Sequence, residues 1–561
     1  MTVPPARTRT SNLLRLLFAL AVVAAVLERL QALLHAGPTD FDDAYMYLRY
    51  AHNALAGHWL AWNPGEAPVY GVTSLLHFLL VTLVGGLLPD RHAAVLQIAS
   101  GAAALVLLAT LVTLCARFCR DPRLRGSFLL WGAVLLPLLC YREAFFFHAH
   151  TGMDTMLAAL ANTAVAFVSL WLAEKPSPAR ALAAAAVGLL AIEARPDNAI
   201  VAALCPLLAL LLLAPAPRLR ALLIWAGTLA GLVLMDLTFK WRLLGTPLPL
   251  AFYAKQPWYY GGFVGEFTWN PFLFLEVALA TVSPFLVAVV LFSRRASVRL
   301  LLVLLVPAAA TFAALFSVNQ IMGHLGRFYF PSLSLFVVAG ALVADRWLQG
   351  LPDQLRAPEG APRLARSLLI RLACAVLALL GGAQALQAAG RAYQGHARTQ
   401  AFASLGGYSI PAAAPLPELD SWQASLEIAR LAADSPPGTT FAMSEHGLVG
   451  AYASRATIVD LLGLHDRIFA RNGFSAAELW RRRPDAIWMP HPDHTQMLRD
   501  ILDSDELWQH YVFYPDAFTY GLALRRDGPR YAILSDLFAR RWQVTYPGLR
   551  PEDYLARQSR R

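Results

Sequence analysis

Two adjacent carboxylates, Asp42 and Asp43, open the stretch FDDAYMYLRY (41–50), with Tyr45 and Arg49 close by. Side-by-side carboxylates repel and raise one another's pKa. At the edge of an apolar segment such a pair suits a general base or a metal ligand, the structural alternative being a helix N-cap with a solvated neighbour. Asp154 follows Thr151-Gly152-Met153 at the top of an apolar segment, where capping that helix is the alternative. His148 and His150, with Asp42, Asp43 and Asp154, make a candidate set for a hard divalent ion (Mg, Mn or Ca), against the plainer reading of hydrogen-bonded packing histidines. Four groups suit the phosphate of a lipid head group: Arg195 in EARPDNA, Lys255 beside Tyr253 in LLGTPLPLAFYAKQPWYY, and His324 with Arg327 ahead of an apolar run. Their alternatives are a local pair of Arg195 with Glu193 or Asp197, snorkelling of Arg327, and a membrane belt for Trp258–Tyr260. Asn63 and Tyr70, in NPGEAPVYGVTS, join Tyr45, Arg49, Asp154 and Tyr253 as candidate substrate contacts. Glu445 and His446 read as a surface turn, with acceptor binding as the alternative.

Positioning these groups falls to a mostly apolar chain. Of 561 residues, 57% are hydrophobic and 15% charged, and mean hydropathy is +0.47; a soluble protein would carry about one quarter charged residues. The net charge is +10, and every basic residue except Lys175, Lys240 and Lys255 is arginine. No Lys/Arg run interleaved with aromatics indicates nucleic-acid binding, so the excess base fits cytoplasmic loops. Cys115, Cys119, Cys140, Cys205 and Cys374 lie in or beside apolar segments, and none follows Cys374, which excludes a disulfide framework in the C-terminal region.

Arg7, Arg9 and Arg15 precede the first apolar run, which ends near Leu34 and reads as a retained helix with its N-terminus in the cytoplasm. The segment 71–88 is short and interrupted by Gly85, Gly86 and Pro89, and is expected to be juxtamembrane or re-entrant. Further spans are expected near 93–116, 127–145, 154–172, 180–193, 198–214, 220–238, 270–292, 298–316, 330–345 and 367–389, roughly eleven crossings in all. An odd number sends 391–561 outside. That region has strand-like runs TTFAM, ATIVD and DAIWM and a helical stretch SWQASLEIARLAA, and reads as a soluble α/β domain. The expected architecture is a polytopic α-helical membrane domain (1–390, with 35–92 as first periplasmic loop) followed by a periplasmic α/β domain (391–561). On this topology the polar stretches converge on the outer face, whereas the cytoplasmic loops hold mainly Arg, Pro and Ala. A one-sided gathering without evident repeats argues against a transporter or a non-catalytic assembly protein, the alternatives of another class.

FDDAYMYLRYAHNALAGHWLAWNPGEAPVYGVTS resembles the first extracytoplasmic loop of GT-C glycosyltransferases, particularly the terminal arabinofuranosyltransferase-like branch. TGMDT, EARPD, GTPLPLAFYAK, GRFYFPSL and GLVGAYASRATIVDLLGLHDR continue the resemblance in order. It implies a bacterial inner-membrane enzyme that transfers a sugar from a polyprenyl-phosphate donor to a periplasmic glycan, lipid or protein. The runner-up within the fold is a mannosyl- or aminoarabinosyltransferase. Carried over, Asp42 or Asp43 is the base or acceptor-orienting carboxylate, Asp154 the acidic residue after the third crossing, and Arg195, Lys255 and Arg327 the cations for the leaving phosphate. The chain departs from the branch at Met153-Asp154, where Leu-Glu is frequent, and at Pro196-Asp197, where Pro-Glu is.

Overall fold

The computed structural model describes residues 39–255, 270–316, 323–349 and 419–558, apart from single positions within them, and scattered helical positions elsewhere. The expected first helix, the span near 367–389 and Trp258–Tyr260 lie outside the described residues. Five described helices are long and apolar enough to cross a membrane: His92–Phe118, Thr155–Glu174, Leu219–Leu244, Arg295–Leu315 and Phe330–Gln349. A sixth candidate, Phe274–Thr281 with Ser283–Phe292, bends by 67° at its break. The segments expected as spans near 127–145, 180–193 and 198–214 form helices of 13, 17 and 14 residues, short of the roughly 20 that a full crossing takes. The described residues therefore account for five or six of the roughly eleven crossings expected.

By internal packing the chain forms two compact units, which interleave along the sequence. One comprises Met1–Thr39, Gln97–Leu234 and Thr268–Gln394; the other comprises Asp40–Leu96, Met235–Phe267 and Gly395–Arg561.

In the first unit Thr155–Glu174 packs against Pro178–Ala194, Ala199–Leu212 and Phe330–Gln349. Small residues at the contacts (Ala158, Ala159, Ala184, Ala185, Ala202) let the backbones approach. Gly340 is required for the same reason, since a Cβ there would lie 2.8 Å from the Phe285 carbonyl oxygen. Ser177 caps Pro178–Ala194 by accepting from the Arg180 amide, and Pro178 supplies the preset φ of the first turn.

The second unit holds a five-stranded mixed sheet, β1 (Thr440–Met443), β2 (Thr457–Asp460), β3 (Ala486–Trp488), β4 (Tyr511–Tyr514) and β5 (Leu522–Arg525), in the order β2-β1-β3-β5-β4. β1 pairs in parallel with β2 (Met443 opposite Asp460) and with β3, while β5 runs antiparallel between β3 and β4. TTFAM, ATIVD and DAIWM are thus β1, β2 and β3, and SWQASLEIARLAA lies in the helix Ser421–Asp434, capped by Asp420. Each parallel strand is buried along most of its length, as a sheet covered on both faces requires. The helix Leu75–Leu87 is too short to span and belongs to this unit. It is capped by Ser74 and continues through Gly85 and Gly86, ending just before Pro89.

Candidate functional site

In the first unit the candidate residues cluster at three helix ends. Arg195 ends Pro178–Ala194 in an extended conformation. Its Nε lies 2.9 Å from Asp197 Oδ1, which is the local pair weighed from sequence. Its Nη1 donates to the Arg327 carbonyl at 3.3 Å. The two guanidinium groups lie 5.1 and 5.6 Å from the centroid of one ring, Phe328. Both arginines are buried, so Arg327 does not snorkel to the surface. The turn carrying Arg327 is built on a left-handed Leu325 (φ 49°) and on Gly326 (φ 73°), where a Cβ would meet the Phe274 carbonyl oxygen at 2.9 Å. His148 Nε2 donates to the carbonyl of Leu325 at 3.1 Å, and its ring meets Phe330 at 4.6 Å. Burial, with the charges of Arg327 and Arg195, holds this imidazole down to about 3 against the pull of its hydrogen bond.

Asp154 precedes Thr155–Glu174, is buried, and makes no side-chain cap bond to that helix. The capping alternative is therefore not realised. Its charge bears on Asp197. His324 is exposed on the same turn as Arg327, and His150 stacks on Phe146. Among the described residues, His148, His150 and Asp154 are not gathered at the spacing of metal ligands. A small apolar hollow of about 20 Å³ lies beside Phe330, lined also by Phe145, Leu107 and Leu333.

In the second unit the acidic pair divides. Asp42 Oδ2 accepts from the Gly447 amide (2.9 Å) and Oδ1 from the Leu448 amide (2.7 Å), so this carboxylate closes the start of Gly447–Tyr452 rather than capping its own helix, Asp42–Leu55. Burial raises its pKa, opposed by His446 and by the two amides. Gly447 is obligatory here, because a Cβ would stand 2.1 Å from the Asp42 carbonyl oxygen. Asp43, one residue on, is partly exposed.

Arg49 is fully committed: its Nε and Nη atoms donate to the carbonyls of Trp62, Gly450, Ala453 and Ala456 and to Asn63 Oδ1. That uses every N–H the guanidinium has. Its pKa falls to about 10 through burial, so it stays charged at neutral pH. Asn63 is equally saturated, with Oδ1 also accepting from the Ile458 amide and Nδ2 donating to Glu66 and to the Ile458 carbonyl. Tyr45 is buried against Trp422 and Tyr452. The Tyr70 carbonyl accepts from the Leu250 amide, and its ring faces the ammonium of Lys240 at 5.3 Å. Lys240 in turn pairs with Asp236 at 2.6 Å. Tyr253 and Lys255 lie in and just after Leu250–Ala254, both partly exposed.

His446 departs from expectation. It is buried rather than on a surface turn, because it follows β1 directly and packs edge-on against Trp62. With Asp460 and His465, both buried, it forms a group whose ligand atoms lie within 4.8 Å of one another. Asp460 and His465 escaped the sequence reading, although both stand in the VDLLGLHD run quoted above.

The described residues thus define a helical membrane protein carrying a small mixed α/β domain. Residues 417–555 match a family described as domain of unknown function DUF8728. No curated protein matches in sequence. Among solved structures the chain is similar to the oligosaccharyltransferase of Archaeoglobus fulgidus, in complex with Zn and sulfate, at 14% identity and a TM-score of 0.46, over 91% of this chain and 73% of that one. A likeness of that degree does not establish a shared fold.

Proposed function

We propose that the chain is an integral-membrane glycosyltransferase that moves a sugar, with arabinofuranose as first candidate, from a polyprenyl-phosphate donor to a periplasmic glycan, lipid or protein. The membrane is a bacterial inner membrane, with the N-terminus cytoplasmic and the α/β domain periplasmic. The observation that carries this reading is the pair of buried guanidinium groups of Arg195 and Arg327 on Phe328. Asp197 already pairs with Arg195; two buried guanidinium groups against one ring still form a cationic patch that favours a further anion, and a lipid phosphate is of the right class.

In transfer the bond between anomeric carbon and phosphate oxygen breaks and the acceptor oxygen bonds to that carbon. The acceptor's proton goes to a carboxylate and polyprenyl phosphate leaves. Arg195 and Arg327, with His324 as an outer cation, hold the charge growing on the phosphate. Asp43 takes the proton, and Asp154 orients a sugar hydroxyl. Asp42, Arg49, Asn63, Tyr45 and Tyr70 position the first-loop helix and do not touch substrate. Among the described residues His148, His150 and Asp154 do not gather as ligands, so none of them is given a metal-binding role.

The test is transfer from a panel of polyprenyl-phosphate sugars (arabinofuranose, mannose, aminoarabinose) by Asp43→Asn, Asp154→Asn and Arg327→Gln. Each variant is expected to lose about 100-fold or more in kcat. Full turnover in all three would overturn the assignment, and the donor consumed by the unaltered protein identifies the sugar.

A further inference from the structure

Beyond the cation cluster, the second unit contains a buried polar group that the transfer reaction does not use. His446 follows β1, Asp460 ends β2, and His465 closes the turn after β2. All three therefore sit at the carboxyl ends of parallel strands, where open α/β sheets place their ligands. His446 Nδ1 lies 2.7 Å from the Ser444 carbonyl oxygen, so it carries the proton and donates. That leaves a lone pair on Nε2, which is buried and has no hydrogen-bond partner. His465 Nδ1 meets the Tyr50 hydroxyl at 3.1 Å, and its buried Nε2 likewise has no partner. Asp460 accepts from the Leu462 and His465 amides, one per oxygen, which leaves a lone pair on each oxygen.

Unmatched buried nitrogens are rare because each forfeits its hydration. The two imidazoles stand with a carboxylate in a group in which one ligand atom of each side chain lies within 4.8 Å of the others, and His446 Nδ1 lies 3.5 Å from Asp460 Oδ1. The surroundings hold the rings in place. His465 stacks on Trp62 at 3.9 Å, and Gly71 lets the chain pass so close that a Cβ would lie 2.1 Å from the Tyr50 hydroxyl and 2.3 Å from His465 Nδ1. Carbonyl and hydroxyl partners on the two Nδ1 atoms are the arrangement by which proteins orient ligating imidazoles.

We propose that His446, Asp460 and His465 bind a zinc-class divalent ion that clamps the ends of β1 and β2 and, through Tyr50 and Trp62, the first-loop helix and its following loop. Two imidazoles with one carboxylate form a borderline set that selects zinc over the hard ions, which take oxygen ligands. Three protein ligands leave the fourth position of a tetrahedral ion to a water, and burial of all three side chains keeps the ion from the surface. Gly447, next to His446, donates to Asp42, so losing the ion should also loosen that contact.

The full chain, purified in detergent without chelator, would be desalted and its metal measured by mass spectrometry. It would then be unfolded thermally with and without 1,10-phenanthroline. About one zinc per chain and a lower Tm in the chelator are expected. Cobalt added to the stripped protein should give the visible absorption of a four-coordinate site, and His446→Gln and His465→Gln should each weaken binding about tenfold or more. Substoichiometric metal, an unchanged Tm in chelator and a featureless cobalt spectrum would together overturn the site, as would retention of magnesium or calcium instead. The cobalt and chelator readings use the unaltered protein, so they decide the matter even where a variant fails to fold.

Discussion

Replacing Arg49 by methionine separates a structural cation from a substrate contact. Arg49 is the donor to the Gly450 and Ala456 carbonyls. The other three acceptors keep another donor: the Trp62 carbonyl has Asn53, the Ala453 carbonyl the Ala456 amide, and Asn63 Oδ1 the Ile458 amide. Methionine fills similar volume but leaves two buried carbonyls unpaired, at about 1–3 kcal/mol each. It also removes the stacking of the guanidinium on Trp62 at 4.8 Å, worth roughly 1 kcal/mol. Relief of a buried charge offsets part of this, so a net loss of about 3 kcal/mol is expected. The assay is thermal unfolding in detergent at neutral pH, followed by tryptophan fluorescence, where the wild-type guanidinium is charged because its pKa lies near 10. A loss under about 1 kcal/mol, with transfer activity abolished, would refute the reasoning and return Arg49 to the substrate.

Gly447→Ala forces a Cβ against Asp42 and is expected to cost about 3 kcal/mol or more, with Asp42→Ala losing a comparable amount through the same two amides. Gly326→Ala combines a left-handed backbone with a clash at Phe274, and should impair donor transfer and stability together by displacing Arg327. His52 is held down to about 4 by burial and by His92. Its unfolded form binds a proton below the ordinary value of 6.5 and its folded form does not, so stability is lost as pH falls from about 6.5 toward 4. Denaturation series in wild type and His52→Gln should differ in slope across that window by roughly 1.4 kcal/mol per pH unit. Parallel slopes would exclude a His52 held neutral in the folded protein.

Most of the α/β domain was legible because its parallel strands are short apolar runs between turn residues. β4 and β5 were not: YVFY is made of strand formers, but four residues beside a short helix give little pattern, and LALR owes its strand state to pairing with β3 and β4. The chemistry of Arg195 and Arg327 was readable as cations beside apolar runs, but their convergence on Phe328 depends on a left-handed Leu325 that no propensity announces. His446, Asp460 and His465 stayed hidden for a related reason. Their separations in sequence match no compact ligand motif, and only the parallel pairing of β1 with β2 brings the two strand ends side by side.

The acidic pair shows how a doublet that looks like one feature becomes two. Asp42 and Asp43 occupy successive positions at the start of one α-helix, and successive helical side chains do not share a face. Once Asp42 is turned toward the Gly447 and Leu448 amides, Asp43 is directed elsewhere by the geometry of the helix alone. The mutual repulsion that made the doublet conspicuous is therefore met by giving Asp42 two backbone donors, while both residues stay partly exposed. Fixing the first in place sets the direction of the second, so Asp42 governs where the proposed base points without itself accepting a proton from substrate. A variant at Asp42 should then lower activity and stability together, whereas Asp43→Asn should lower activity alone, and paired measurement of kcat and Tm on both separates the two roles.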